Sequence, residues 1–368
     1  MNNAKKRLYL LLVCLLILPA CKLLSAAVAT PSVTASLPAV IQASATPTWL
    51  PTATRLPGAT TAPTLPAPLA ASPTTASPRL VRGYIARQHL EYLSGEIGAR
   101  PSGSGREGKA AQYIRSVLDE IGYETQVQLF TFENEDGEEL TSANLVAIHE
   151  GLSPRQVVVG AHYDSGSEGK GADDNASGVA VMLEVAEAVY ALPTPYTIVF
   201  VAFGAEEEDL NGSRYYVRHM SRAQVQNTAG MINLDSLIAG DMAYVYGDSG
   251  PGYLSDEIMT YAAQLGFELH ALSVADLDED DGTPCECSDY YPFQKAGISF
   301  VYFEATNWEL GDQDGLTQVD ECFGDEGVIY HTRYDNLAYI DSTFPGRIDQ
   351  HLDWFVSLVY ETLVQGFD

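Results

Sequence analysis

The 368-residue sequence lacks several features that would each assign it to a familiar class of protein. It has no His-Glu-x-x-His segment, which excludes a zincin, and no Gly-x-Ser-x-Gly elbow, which argues against a serine hydrolase. It has no Walker loop either. It has only five cysteines, and beyond its first twenty residues no apolar run is long enough for a transmembrane helix.

Acidic residues are missing from the first 80 residues, which carry six basic ones. The remaining 288 residues hold all 49 acidic residues against 14 basic ones, a net charge of −35. So acidic a domain repels nucleic acid and anionic lipid and attracts cationic peptides, although such charge can also serve solubility alone. We therefore expect no nucleic-acid partner.

Residues 1–21 predict an export signal. Residues 5–7 are basic, and the apolar run at 8–18 that follows is too short to span a bilayer. Leu18-Pro19-Ala20-Cys21 resembles the lipobox of bacterial lipoproteins, in which the cysteine is lipidated; an ordinary cleaved signal peptide is the alternative. We expect an exported protein, attached through Cys21 alone to the outer face of the bacterial membrane, in an extracellular or periplasmic location.

Composition divides the rest of the chain in two. Residues 22–80 are dominated by Pro, Thr, Ala and Ser, which predicts a disordered tether. Residues 81–368 have the pattern of one globular domain, with three cysteines, Cys285, Cys287 and Cys322. At most one disulfide can form among them, and the sequence leaves its partners open. A structural zinc site on the three thiols is conceivable, but no paired-knuckle spacing supports it.

Short apolar runs alternate with helical periodicity along this domain. The runs predict buried strands at 157–161, 197–203, 231–234 and 298–303, and the periodicity predicts helices at 84–97, 107–121, 177–192, 213–226, 254–265 and 346–364. Ser177 is placed to cap the third helix. Continuous apolar runs are typical of strands covered on both faces. We therefore predict an α/β domain with a central, largely parallel mixed sheet and helices on both faces.

Potential metal ligands follow the predicted strands. His162, Glu206-Glu207 and Asp235 come directly after three of them, and Asp174 and His331 lie in loops. Carboxyl ends of parallel strands share one rim, where ligands bind. Each residue alone has an ordinary explanation as a structural His, a solvated turn or a loop cap. Together they predict divalent cations, with zinc suited to imidazole and carboxylate and manganese or cobalt as substitutes.

These segments resemble the two-zinc bacterial leucyl aminopeptidases of peptidase family M28. The likeness covers about residues 84–364, and within the family it is strongest to the alkaline phosphatase isozyme conversion aminopeptidase. The matching segments are His162-Tyr163-Asp164, Gly171 to Gly178, Ala205 to Ser213, Asn233 to Asp241, Glu304 to Gly311, His331 to Asp335 and Pro345 to Ile348.

The resemblance implies a zinc-exopeptidase fold of the phosphorylase/hydrolase-like type, two Zn²⁺ ions and a metallo-aminopeptidase. It implies that His162 and Asp235 hold one zinc, that Glu207 and His331 hold the other, and that Asp174 bridges them. Asp164 would orient His162, and Glu206 would be the general base that acts on a zinc-activated water. The resemblance further implies a cis peptide bond after Asp174 and places Ser288-Asp289 near the site. The Cys285-Glu286-Cys287 spacing departs from the family.

Three alternatives remain beside hydrolysis at the N-terminus of peptides or proteins. They are a one-metal glutaminyl cyclase, a carboxypeptidase or dipeptidase of the same fold, and a metal-depleted peptide-binding module.

An acidic run at 276–281 precedes the segment expected near the site, and it predicts a preference for N-terminal Arg or Lys. The same run can equally be a solvated loop or a calcium site. The acids concerned are Asp276, Asp278, Glu279, Asp280 and Asp281.

Overall fold

The computed structural model describes residues 82–134, 136–247, 253–273, 275 and 285–367. The predicted signal peptide with Cys21, the predicted tether and the acidic residues at 276–281 lie outside these ranges. No helix of the described part has the length and apolar character needed to cross a membrane.

Eight strands form one mixed sheet in the order β1-β2-β4-β3-β5-β8-β6-β7. The four central strands, β4, β3, β5 and β8, are mutually parallel, and antiparallel pairs flank them. The predicted largely parallel mixed sheet is thus confirmed. The strands are β1 Gln126–Glu133, β2 Glu139–His149, β3 Ser153–His162, β4 Tyr196–Phe203, β5 Thr228–Leu234, β6 Met242–Gly247, β7 His270–Ser273 and β8 Phe300–Thr306.

Helices cover both faces of the sheet. They are α1 Tyr84–Leu90, α2 Gly105–Ile121, α3 Gly178–Val189, α4 Asn211–His219, α5 Arg222–Asn227, α6 Leu254–Leu265, α7 Tyr290–Lys295, α8 Leu337–Thr343 and α9 Arg347–Gln365. A π-helical turn, Glu91–Ile97, follows α1, and a kinked segment, Ala172–Ser177, precedes α3 and is non-helical at Asp174 and Asn175. The single helix predicted at 213–226 is wrong, because α4 ends at His219 and α5 starts separately at a capping box on Ser221.

The predicted cap on Ser177 is also wrong. Its backbone is already helical, with a φ of −65° and a ψ of −50°, and its side chain caps no N–H of that helix. Instead the Ser177 hydroxyl donates to the Asp173 carbonyl oxygen and accepts from the Leu237 N–H. The serine therefore fastens the loop before α3 to the segment that follows β5.

The core lies on both sides of the sheet. On one side, residues of α1, α2, α3 and α9, including Leu90, Ile114 and Phe355, pack against inward-facing residues of the strands. On the other side, Tyr216 of α4 and Phe293 of α7 pack against Phe203 and its neighbours. Burial of the central strands on both faces explains their continuous apolar runs. It also fixes their carboxyl ends as one rim, where the chain enters its loops.

Candidate metal centre

Three neighbouring parallel strands deliver polar side chains to this rim. His162 is the last residue of β3, Glu206 and Glu207 follow β4, and Asp235 follows β5. The loop before α3 adds Asp174 to the same place. His331 arrives from the irregular segment between β8 and α8, so the six residues come together from five separate parts of the chain.

Asp174 lies between the two imidazoles. Its Oδ1 is 3.1 Å from His162 Nε2, and its Oδ2 is 2.9 Å from His331 Nε2. Asp235 Oδ1 approaches His162 Nε2 at 3.3 Å, and Glu207 Oε2 approaches His331 Nε2 at 3.0 Å. Two groups of potential metal ligands result, each with its ligand atoms within 4.8 Å of one another, and Asp174 belongs to both.

The donor set and its charge fit a divalent cation. Burial raises the pKa of Glu206 well above its ordinary value. Hydrogen bonds to Asp174 and Glu207 raise the pKa of His331 to about 11. Glu207 Oε1 is buried without a hydrogen-bond donor. So much buried negative charge is tolerated where a cation neutralises it, and imidazole with carboxylate is a ligand set that zinc accepts.

Asp164 fixes the turn that carries the two glutamates. Its carboxylate accepts the backbone N–H of Glu206 and of Glu207, each at 3.1 Å, and the Ser102 hydroxyl at 2.7 Å. Its Oδ1 is also 3.5 Å from His162 Nδ1. Asp164 is fully buried, so one carboxylate holds the β3 and β4 ends of the site in register.

A second carboxylate fastens the Asp174 loop to the His331 segment. Asp335 Oδ1 accepts from the N–H groups of Ala172 and Asp173, at 2.8 and 2.6 Å, and Oδ2 accepts from the Asp174 N–H at 3.2 Å. The peptide bond after Asp174 is cis, in agreement with the family resemblance. His331 itself has a φ of 55°, in the left-handed region that non-glycine residues rarely adopt.

Gln318 strengthens the same link, and no motif in the sequence marks this residue. Its Nε2 donates to Asp173 Oδ2 at 2.6 Å, and its Oε1 accepts from the N–H groups of Ile329 and Tyr330 at 3.0 and 2.9 Å. Gln318 is fully buried. The residue before Asp174 is thus tied to the two residues before His331.

The sequence pattern does not predict the structural role of Arg100 either. Its guanidinium is fully buried and, within the described residues, donates to backbone carbonyl groups, those of Leu93, Gly98, Tyr163, Lys170 and Gly171. The carbonyls of Tyr163, Lys170 and Gly171 belong to the loop that leads from His162 towards Asp174, and those of Leu93 and Gly98 belong to the turn after α1. Since all three guanidinium nitrogens donate to carbonyl oxygens, Arg100 brings a positive charge close to the acidic site without competing for its ligands.

We predict that Arg100→Met lowers the free energy of unfolding by roughly 3–5 kcal/mol, because several buried carbonyl groups lose their donors together. Urea unfolding in the presence of a chelator measures this without any contribution from bound metal. Arg115→Met is the matched control, because Arg115 is exposed and its pairing with Asp119 at 3.4 Å lies at the surface. The control should change stability by less than about 1 kcal/mol. Equal losses in the two variants would contradict the prediction.

Ser288 and Asp289 lie near the site, as the resemblance implies. The Ser288 hydroxyl donates to Asp235 Oδ2 at 2.7 Å and accepts from Asn233 Nδ2 at 2.7 Å. Just before them, Cys285 and Cys287 form a disulfide, which leaves Cys322 outside it and exposed. A zinc site on the three thiols is therefore wrong, because two of the thiols are consumed.

The candidate site opens into a cavity of about 350 Å³. Glu206 lines it beside the metal-ligand candidates, with Oε2 3.8 Å from His162 Nε2. The disulfide forms part of the wall, and Asp314, Gly315 and Leu316 form another part. A sheet rim that gathers imidazoles, carboxylates and one further glutamate around a cavity defines a metal-dependent hydrolase.

Comparison with known proteins specifies this class. Residues 144–354 match Peptidase family M28. The alkaline phosphatase isozyme conversion protein of Escherichia coli is 32% identical over 297 residues, which cover 73% of this chain and 86% of that protein. The chain spans a smaller share of the length of two other curated relatives, 48% of one and 61% of the other. The chain belongs to peptidase family M28.

Solved structures share the fold. BSAP, a zinc aminopeptidase from Bacillus subtilis, matches with a TM-score of 0.63 at 22% identity, over 77% of this chain and 96% of BSAP. Porphyromonas gingivalis glutaminyl cyclase matches with a TM-score of 0.61 at 21% identity, over 77% of this chain and 99% of the cyclase. The predicted family and fold are confirmed, and membership of a peptidase family agrees with the predicted hydrolase class.

Proposed function

We propose that this protein removes the N-terminal residue of peptides or proteins with two zinc ions, with Glu206 as general base and with a preference for basic N-terminal residues. The position of Asp174 carries the proposal, because one of its carboxylate oxygens lies next to the His162 imidazole and the other lies next to the His331 imidazole. Each imidazole has a further carboxylate of its own, Asp235 on one side and Glu207 on the other. This arrangement supports one ion in each group, with Asp174 shared.

The protein's own residues would supply the rest of the chemistry. Zinc, when bound, acidifies water and polarises the scissile carbonyl. Glu206 lines the cavity beside both ligand groups, where its carboxylate can take a proton from water and return it to the leaving amine. Asp164 holds the backbone of Glu206 in place throughout. The carboxylates around the cavity favour a free substrate ammonium group, which supports action at the N-terminus.

Export and lipid anchoring belong to the same proposal. They are supported by the basic residues 5–7, the apolar run at 8–18 and the lipobox-like segment that ends at Cys21. Residues 22–80 would then hold the peptidase domain at 81–368 away from the membrane. An extracytoplasmic position also suits the Cys285–Cys287 disulfide, since disulfides persist in oxidising compartments.

We predict that the full chain, purified in detergent and loaded with zinc, hydrolyses aminoacyl p-nitroanilides with a free amino group and leaves their N-acetyl forms intact. The cavity offers carboxylates to an ammonium group and none of the described residues lining it is a lysine or arginine that would bind a carboxylate terminus. Chromogenic assay and metal analysis on the same preparation measure both parts of the proposal.

The same preparation separates the alternatives. Release of ammonia from glutaminyl peptides with one zinc per chain would assign a glutaminyl cyclase. Cleavage at the carboxyl end of peptides would assign a carboxypeptidase, and cleavage restricted to dipeptides would assign a dipeptidase. Peptide binding without any turnover by a metal-loaded protein would assign a binding module. Each of these results would overturn the aminopeptidase proposal.

A further inference from the structure

One carboxylate stands on the cavity wall without a role in the site described above. Glu304 lies on β8, and it is the only residue of that strand that is not buried. The cavity that contains Glu206 and the ligand candidates is also lined by Glu304. Among the described residues no lysine or arginine forms an ion pair with it.

Glu304 is nevertheless held in place. The Tyr246 hydroxyl donates to Glu304 Oε2 at 2.9 Å, and Tyr246 in turn accepts from Trp308 Nε1 at 2.7 Å. Tyr246 is fully buried. This chain of two hydrogen bonds orients the carboxylate and engages one of its two oxygens, which leaves the other available to a group that enters the cavity.

The surroundings of Glu304 suit a long side chain with a positive end. Tyr302 and Tyr330 line the same cavity, and Leu316 stands 57% exposed at its edge. Burial raises the pKa of Glu304 to about 8, and the charges of nearby carboxylates add to the shift. A cation placed beside the carboxylate would stabilise its ionised form. Aromatic rings next to a carboxylate are favourable for guanidinium and ammonium groups.

We infer that Glu304 determines specificity by pairing, inside the cavity, with the side chain of an N-terminal Arg or Lys of the substrate. The inference rests on the proposed aminopeptidase function and adds the residue that recognises the substrate's N-terminal side chain. It assigns the preference to a residue inside the cavity and not to the acidic residues at 276–281. Pairing inside a cavity is weakly screened by salt, whereas attraction by an exposed loop is strongly screened.

The test compares arginyl and citrullinyl p-nitroanilides, whose side chains have nearly the same shape and differ in charge. It uses the full chain loaded with zinc, as wild type and as Glu304→Gln. Glutamine keeps an oxygen that can accept from Tyr246 and removes the charge. We expect the ratio of kcat/KM for arginyl over citrullinyl substrate to fall about 10–100-fold in Glu304→Gln, the usual effect of a hydrogen bond to a charged group. The fall should persist at about 1 M salt.

Asp314→Asn is the matched control, because it makes the same change of charge at the exposed edge of the cavity. Asp314 Oδ1 accepts from the Leu316 N–H at 3.0 Å, and asparagine can keep that contact. In the control the ratio should change by less than about threefold, and the change should vanish at about 1 M salt. Thermal melting and metal content of each variant verify that it is folded and loaded.

Several results would overturn the inference. One is a wild-type ratio of arginyl over citrullinyl substrate near one, which needs no variant and holds even if Glu304→Gln does not fold. Another is an equal loss for both substrates in Glu304→Gln, which would assign Glu304 to the substrate ammonium group. A larger effect of Asp314→Asn than of Glu304→Gln would assign the preference to surface charge. If loaded wild type hydrolyses no aminoacyl substrate at all, the proposed function fails and not merely its specificity.

Discussion

Glu206→Gln should lower kcat by about 10²–10⁴-fold while the protein keeps its zinc, because general-base assistance is typically of that size. Glutamine has the shape of glutamate and cannot take up a proton. The backbone N–H of residue 206 still donates to Asp164, so the turn should keep its position. Steady-state kinetics and metal analysis on the same sample measure the two quantities together.

Glu208→Gln provides the comparison for this variant. Glu208 lies in the same turn, and it does not line the cavity. Its replacement should leave kcat within about threefold of wild type, because Glu208 is only half-buried and belongs to neither ligand group. A metal-loaded Glu206→Gln enzyme with wild-type turnover would remove Glu206 from the mechanism and leave the ligand groups unaffected.

Asp174→Ala should weaken binding of both metal ions by more than about 100-fold each and abolish turnover. Loss of a residue that only orients a metal ligand already weakens binding about 10–100-fold. Asp174 belongs to both ligand groups, with one oxygen towards His162 and the other towards His331. A single substitution should therefore act on both ions. Calorimetric titration of the metal-free protein with zinc gives both affinities without any assay of activity.

Glu187→Ala serves as the control for charge. Glu187 is exposed on α3, the helix that follows the Asp174 loop, and it belongs to neither ligand group. Its removal subtracts one negative charge from the same region and should leave both affinities unchanged. If Asp174→Ala loses one ion and binds the other as tightly as wild type does, Asp174 serves one ion alone and the shared arrangement is wrong.

The central strands could be predicted from the sequence for a physical reason. Parallel strands covered by helices on both faces need apolar side chains at successive positions, so β3, β4 and β5 stand out as continuous runs. The outer strands lack this signature. In β1 most residues are exposed and only Phe130 and Phe132 are buried, so no apolar run marks it. Pairing with β2 determines its conformation, and the local sequence does not show that pairing.

The candidate ligands could be predicted from the sequence because most of them lie at or just after the end of a predicted strand, and Asp174 lies in a glycine-flanked loop. The residues that support them could not. Arg100 and Gln318 act on backbone groups of segments far along the chain, and no spacing in the sequence reveals such contacts. Composition even argues against Arg100, since arginine is seldom fully buried. Only the folded arrangement shows that the carbonyls around it converge.

The links from Asp335 and Gln318 to the Asp174 loop also make the ligand group that contains His331 depend on the C-terminal part of the chain. One ligand group is carried by β3, the Asp174 loop and the end of β5, whereas the other needs His331, which follows β8. Closing the loop between Asp174 and His331 costs conformational entropy that is recovered only when the later segment docks. During synthesis, the chain would therefore complete this ligand group only after the segment that follows β8 has been made and has docked on the Asp174 loop. Such timing would restrain a peptidase from acting on other chains before it has finished folding.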